Sequence, residues 1–340
     1  MLRNPQKSSQ IVSFFANRCC MGVQLLLSFP CAIIPMALFI YIVRRLDKYD
    51  PEPFWLLMFH FAWGGIIAVS AASVINGQAL AFFVGEGITP SNVTPDKRLA
   101  LTFVVACLGP IVEELLKCSV FGISTRLREF NNLTDGIVYG SAVGFGFGMI
   151  ENLVYFIQNA ATDNWVQLVI NRTFFSAMMH ALSSATFAAF LGYGRFKYGD
   201  IPWRFAVYGF VPAALLHMAW NYFIMSNITG VNIVGFVVVI LAFAGLCFTF
   251  VRSMKYEHIY IREELVDEAR LGNIPQDYID LPFREHSSGE EYLVALICSQ
   301  IAFERITNRQ LRSPHQIERS NKILDTLRQK IKTLPPLQAS

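Results

Sequence analysis

The chain has 340 residues, of which 54% are hydrophobic and only 16% are charged, and its mean hydropathy is +0.41. This composition excludes an ordinary soluble enzyme and indicates a multi-pass integral membrane protein. The formal net charge of +3 is too small to indicate nucleic acid as a partner. The seven cysteines show no paired spacing, so we interpret them as small hydrophobic residues.

Apolar runs of about twenty residues, the length that crosses a bilayer as a helix, recur along the chain. They predict about seven transmembrane helices, at residues 25–43, 54–74 (with an extension towards 83), 99–123, 136–157, 174–193, 205–225 and 231–251. The predicted fold class is therefore an all-α membrane bundle. It has three parts: an N-terminal arm (1–24), the bundle (25–251) and a polar, mostly helical cytoplasmic tail (252–340).

Lysine and arginine are concentrated in alternate loops between these helices, and such loops face the cytoplasm. The richer loops follow the first, third, fifth and seventh predicted helices and hold Arg44, Arg45, Lys48, Arg126, Arg128, Arg195, Lys197, Arg204, Arg252, Lys255 and Arg262. This bias predicts a multi-pass cell-membrane protein with its N-terminus outside and its tail in the cytoplasm. We expect the membrane to be a bacterial cytoplasmic membrane. The basic residues of the N-terminal arm, Arg3, Lys7 and Arg18, oppose that orientation.

The third predicted helix carries three ionisable residues at mid-helix depth, Glu113, Glu114 and Lys117. A charge at the centre of a membrane helix costs roughly 2.5–3.5 kcal/mol on insertion scales, so these side chains are expected to avoid lipid. Glu113 and Lys117 are four residues apart and are expected to offset each other's charge on one helix face. Glu114 points about 100° away and is left free for another role. The arrangement indicates a functional site.

The fourth predicted helix has a glycine every four residues, at Gly136, Gly140, Gly144 and Gly148. Such a stripe of small residues predicts close approach of a neighbouring helix. Glu151 falls at the middle of the stripe, since the stripe drifts only slowly around the helix. We therefore expect Glu151 to face another helix and not lipid.

Two histidines follow on the next helices, His180 with Ser184 and His217 with Asn221, each pair four residues apart on one face. The predicted directions of the helices bring these histidines and the glutamates to a similar depth. Carboxylates and imidazoles gathered in an apolar cavity suit the activation of water. The same set suits a zinc ion with an open coordination position, and the spacing does not decide between the two.

Four motifs in this order resemble those of the PrsW family of intramembrane proteases, which is related to the CAAX-processing and bacteriocin-processing membrane proteases. They are EELLK at 113–117, FGMIEN at 147–152, His180, and HMAWN at 217–221, and the resemblance spans about residues 47–222. The broader superfamily has FxxxH where this chain has Phe147 and Glu151. That variant is of the PrsW type and argues against cleavage of prenylated substrates.

The resemblance implies hydrolysis of a peptide bond in a membrane-anchored protein, within a lipid bilayer, and an anti-sigma factor is one substrate class of the family. By analogy, Glu113 is the base that activates water and Glu114 is a structural or secondary carboxylate, although these two roles can be exchanged. The same analogy gives the remaining roles: water or metal binding by Glu151 and His180, an oxyanion site at His217 and Asn221, and support from Lys117 and Asn152. The cofactor is left open, and the candidate ligands of a divalent metal such as zinc are Glu113, Glu151, His180 and His217.

Two other functions fit the same polar core. A proton- or ion-coupled transporter would also place Glu, Lys and His at the bundle centre, although the chain shows no duplicated halves. A non-catalytic membrane sensor or scaffold would use the polar core only to fix helix packing. The exchange Glu113→Gln separates a protease from a scaffold, because it is expected to abolish proteolysis while leaving the folding and a scaffold role intact.

Overall fold

A computed structural model describes residues 5–88, 92–199, 201–226, 228–286, 288–311 and 313–334. Within these ranges the chain folds into helices joined by short connections, and no strand is present. The long helices are α1 (Pro5–Leu46), α2 (Phe54–Phe83), α3 (Pro95–Ser124), α4 (Leu133–Gln158), α5 (Trp165–Tyr198), α6 (Trp203–Met225), α7 (Thr229–Arg270), α8 (Gly289–Gln310) and α9 (Pro314–Thr333).

Six of the described helices are long and apolar enough to cross a membrane: α1 from Met21 onward, α2, α3, α4, α5 and α7. The all-α membrane fold is thereby confirmed, and the predicted count of seven is approximate. The remaining predicted span is the helix α6, which is not among the six because polar residues and Pro212 lower its hydropathy. Arg3 and the side chains of Lys7 and Arg18 lie outside the described residues.

Three of the long helices contain a π-helical turn, at Trp63–Ala68 in α2, Val104–Leu108 in α3 and Arg172–Ser176 in α5. In α3 the turn directly precedes Gly109 and Pro110, and proline has no amide hydrogen for the carbonyl four residues earlier. Such local widening of a helix is frequent at functional sites. Two of the three turns lie one or two helical turns before the ionisable residues predicted to form the site.

The glycine stripe of α4 packs closely against a neighbouring helix, as predicted, and that helix is α5. A Cβ atom added to Gly140 would lie 2.5 Å from the carbonyl oxygen of Ser184, and one added to Gly144 would lie 2.3 Å from that of His180. Real Cβ atoms do not approach backbone so closely, so only glycine permits this contact. On another side of α4, a Cβ at Gly146 would lie 2.0 Å from the carbonyl oxygen of Phe61 in α2. The helix α4 is therefore clamped between α2 and α5.

The tail continues from the bundle without a break, because α7 runs through the predicted boundary at residues 251 and 252. Its end packs with α8 and α9 around a separate hydrophobic core that includes Ile261, Leu265, Ile301 and Leu324. An ion pair between Arg128 Nε and Glu304 Oε2, 2.7 Å apart, joins this tail to the loop after α3. The division into arm, bundle and tail stays a prediction.

Gly144→Ala is expected to lower the free energy of unfolding by about 1–3 kcal/mol, because the new methyl group must displace a backbone carbonyl of α5. Thermal unfolding of the detergent-solubilised protein measures the effect. Gly245→Ala is the matched control, since a Cβ atom on Gly245 of α7 meets nothing within 4 Å. Equal losses in both variants would contradict the close packing of α4 on α5.

Candidate active site

The ionisable residues predicted from four separate segments meet in one cluster inside the bundle. Glu113, Glu114 and Lys117 lie on α3, Glu151 on α4, His180 on α5 and His217 on α6. The two imidazole rings are perpendicular, with centroids 4.9 Å apart. Helices distant in the chain thus bring carboxylates, imidazoles and an ammonium group into contact.

The carboxylate of Glu114 is fully buried and accepts three hydrogen bonds at one oxygen. Its Oε1 atom lies 2.5 Å from Lys117 Nζ, 2.7 Å from His217 Nδ1 and 2.9 Å from Ser183 Oγ. The expectation that Lys117 pairs with Glu113 and leaves Glu114 free is wrong. Residues three apart lie on the same helix face, just as residues four apart do, so Lys117 can reach either glutamate. The donors from α5 and α6 bind the carboxylate of Glu114.

The bond to Glu114 fixes the protonation of His217. A carboxylate only accepts hydrogen bonds, so Nδ1 carries a proton, and in the neutral imidazole Nε2 then keeps its lone pair. That Nε2 atom lies 3.6 Å from Oε2 of Glu113. A histidine held through one nitrogen by a carboxylate, with the other nitrogen free, has the arrangement of a metal ligand.

Glu113 directs an unpaired carboxylate oxygen toward the two histidines. Its Oε1 accepts a hydrogen bond from Asn76 Nδ2 at 3.0 Å, and 13% of its side chain is exposed. Its Oε2 is buried and has no hydrogen-bond partner among the described residues. A buried carboxylate oxygen without a donor is costly, so this atom is positioned to receive a proton or to contact a cation.

Glu151 was predicted to face another helix; that helix is α5, and the carboxylate binds two of its residues. Its Oε2 lies 2.6 Å from Arg172 Nη2 and 2.8 Å from His180 Nε2. Asn152 holds the same arginine, since its Oδ1 accepts from Arg172 Nε at 3.1 Å and its amide donates to the Arg172 carbonyl at 3.3 Å. His180 Nδ1 faces Lys117 Nζ at 3.2 Å. Asn152 therefore supports the cluster through Arg172.

Three residues of the cluster were missed from the sequence: Asn76, Arg172 and Ser183. A polar amide inside the apolar α2 was a usable signal for Asn76, because polar groups within membrane helices are typically functional. Arg172 falls just before the fifth predicted helix, which begins at residue 174, whereas α5 already begins at Trp165. The predicted Ser184 lies beside Ser183 but has a buried hydroxyl without a hydrogen-bond partner among the described residues.

Asn221, the predicted oxyanion donor, lies one turn beyond His217 on α6. Its amide donates to the carbonyl oxygen of Val105 at 3.0 Å, within the π-helical turn of α3. This bond couples α6 to the segment that leads to the glutamates. The role of Asn221 at an oxyanion site stays a prediction.

A metal ion would find three donors here. Glu113, His180 and His217 each place one possible ligand atom within 4.8 Å of the other two. Among the residues that the structure describes, this is the one group of three such side chains close enough to hold a metal ion. Two imidazole nitrogens and a carboxylate oxygen are ligands that zinc prefers. The unpaired Oε2 of Glu113 and the free Nε2 of His217 fit that role. Glu151, the fourth predicted donor, is not in the group and pairs with Arg172 and His180 instead.

Comparison with known proteins agrees with this geometry. The family model described as "PrsW family intramembrane metalloprotease" matches residues 52–246, more than half of the chain and all of the cluster. Protease PrsW of Clostridioides difficile (strain 630) is 31% identical over 169 residues, which are 49% of this chain and 64% of that protein. Protease PrsW of Bacillus subtilis (strain 168) is 26% identical over 182 residues, 53% of this chain and 74% of that protein.

The matched region thus covers just under two thirds of the first of these relatives. No solved structure matches the chain.

His217→Ala is expected to lower the affinity for zinc by at least tenfold, because it removes the free imidazole nitrogen of the donor group. Equilibrium dialysis against buffered zinc, read by elemental analysis of the purified protein, measures it. His60→Ala is the matched control: His60 is equally buried but binds Leu56 and Ser124, outside the donor group. Equal zinc binding by wild type and His217→Ala would contradict the assignment.

Proposed function

Because the chain belongs to the PrsW family of intramembrane metalloproteases, we propose that its bundle hydrolyses a peptide bond of a membrane-anchored protein. The observation that carries this proposal is the unpaired carboxylate oxygen of Glu113 beside two imidazoles. A proton acceptor and two metal ligands in one buried space are what activation of water requires.

In this proposal His217 would bind a divalent metal ion through Nε2, and His180 would bind it through Nδ1, because Glu151 holds Nε2 of His180. Lys117 Nζ, 3.2 Å from that Nδ1, would give up its contact there, and Glu113 would face the ion as the third member of the group. When bound, the ion makes a water molecule more acidic and polarises the scissile carbonyl. The remaining catalytic work belongs to side chains of the chain itself.

Glu113 acts as the general base. Its Oε2 accepts a proton from the attacking water and returns it to the nitrogen of the departing peptide fragment. Asn76 holds the other oxygen, which keeps Oε2 directed toward the histidines. Glu114, Lys117 and Ser183 act one step further away, because they hold the imidazole of His217 in a single orientation.

Glu151 performs the corresponding task for His180. Its carboxylate receives the Nε2–H of His180, and Arg172 and Asn152 hold that carboxylate in place. For the developing oxyanion we retain Asn221, whose amide exchanges its bond to the Val105 carbonyl for one to the substrate.

The proposed substrate is a membrane protein with a single anchoring helix, and an anti-sigma factor is the candidate that the family resemblance supplies. We place the protein in a bacterial cytoplasmic membrane with its N-terminus outside and its tail in the cytoplasm. The distribution of lysine and arginine between the loops supports this orientation. With this orientation, we expect the peptide bond to be cleaved in the outer half of the bilayer.

Glu113→Gln is expected to reduce cleavage by roughly 10²- to 10⁴-fold while zinc remains bound, since the exchange removes the proton acceptor and leaves both histidines. The assay mixes the full chain, in detergent, with a panel of single-anchor membrane proteins and maps the fragments by mass. Glu86→Gln is the matched control, because this exposed glutamate lies in the loop after α2.

Undiminished cleavage by Glu113→Gln would contradict the assignment of the base. Loss of zinc together with cleavage would show that Glu113 is a metal ligand. Fragments cut in the cytoplasmic half of the anchor would contradict the proposed orientation.

A further inference from the structure

A cavity of about 930 Å³ lies between α1, α4, α5 and α7, away from the catalytic cluster. Its walls are mostly apolar and include Phe39 and Ile42 of α1, Phe145 of α4 and Phe243 of α7. Ile42 and Phe243 are exposed, so the cavity is a cleft bordered by the outer surfaces of α1 and α7. Its volume is in the range of sites that hold drug-sized ligands.

The cleft lies on the opposite face of α5 from the catalytic residues. Met178, Ala181 and Leu182 line it. His180 and Ser183 point to the other side of the helix, because successive residues are turned by 100°. A substrate bound at the cluster therefore does not need this cleft, and its apolar surface calls for a different occupant.

One end of the cleft is lined by basic side chains, while the neighbouring carboxylates of Asp47 and Glu257 are buried and are not part of the lining. Lys48 and Lys255 line it there, and His258 stands beside them. Both lysines are exposed, and neither forms an ion pair with any of the described residues. This is the end at which the tail packs, since Tyr49 contacts Phe283 of the tail and the ring of His258. Two unpaired ammonium groups at the mouth of an apolar cleft complement an anionic head with hydrocarbon chains.

We propose that this cleft binds an anionic phospholipid from the leaflet on the tail side of the membrane. The phosphate contacts Lys48 and Lys255, and an acyl chain lies between α1 and α7 against Phe145 and Leu182. Basic pockets between membrane helices typically hold anionic head groups in this way. The bound lipid fills the gap beside α4 and α5, the two helices that carry Glu151 and His180.

Native mass spectrometry of the full chain, released from a neutral detergent, tests the proposal. Dioleoyl phosphatidylglycerol and dioleoyl phosphatidylcholine are added at equal concentration, so that only the head group differs. We expect phosphatidylglycerol to bind at least fivefold more tightly, since each basic residue near a lipid head contributes roughly a fivefold preference. Lys48→Gln with Lys255→Gln is expected to abolish that preference.

Lys197→Gln is the matched control, because this exposed lysine at the end of α5 does not line the cleft. Cys247→Trp, which places a large ring in the cleft lining, is expected to reduce binding of both lipids. Equal binding of the two lipids by wild type would overturn the proposal. So would an unchanged preference in the double lysine variant. Displacement of phosphatidylglycerol by a single-anchor substrate that cross-links to Cys247 would show that the cleft docks protein instead.

Discussion

A buried carboxylate, that of Glu114, sets the constraint on which the arrangement of the site depends. Removing one partner from a buried ion pair typically costs 3–5 kcal/mol, because the other charge is stranded. Its oxygen Oε1 accepts hydrogen bonds from Lys117 of α3, Ser183 of α5 and His217 of α6, whereas its Oε2 is buried with no hydrogen-bond partner among the described residues. The registers of three helices are thereby fixed against one another. The same contacts turn the free nitrogen of His217 toward Glu113.

The packing of α4 supplies the second half of the site. Glycines at every fourth position let the backbone of α5 approach, and the contact at Gly144 is with the carbonyl of His180 itself. Glu151 continues the same stripe, so the spacing that packs the two helices also places its carboxylate against the imidazole of His180. Close packing and catalytic geometry therefore have one cause, and a methyl group added to the stripe would disturb both.

Much of this arrangement could be predicted from the sequence. Hydropathy located every bundle helix, and the cost of charge in lipid singled out Glu113, Glu151, His180 and His217. Hydrogen-bond partners were harder to predict. Positions three and four apart are both neighbours on a helix, so spacing alone did not show that Lys117 binds Glu114. The number of membrane-spanning helices was also hard to predict, because the polar residues that α6 contributes to the site lower the hydropathy of that helix.

The measurement that tests the central claim most directly uses Glu114→Met, Lys117→Met and the double variant. The two single variants each strand a buried polar group, so both are expected to unfold at lower temperature than wild type. The double variant replaces the pair by apolar side chains of similar size and is expected to regain stability. We predict that it still fails to cleave substrate, and that it binds zinc at least tenfold more weakly, because His217 has lost the acceptor that orients it. Full recovery of cleavage together with stability would contradict the account, because the pair would then serve only folding.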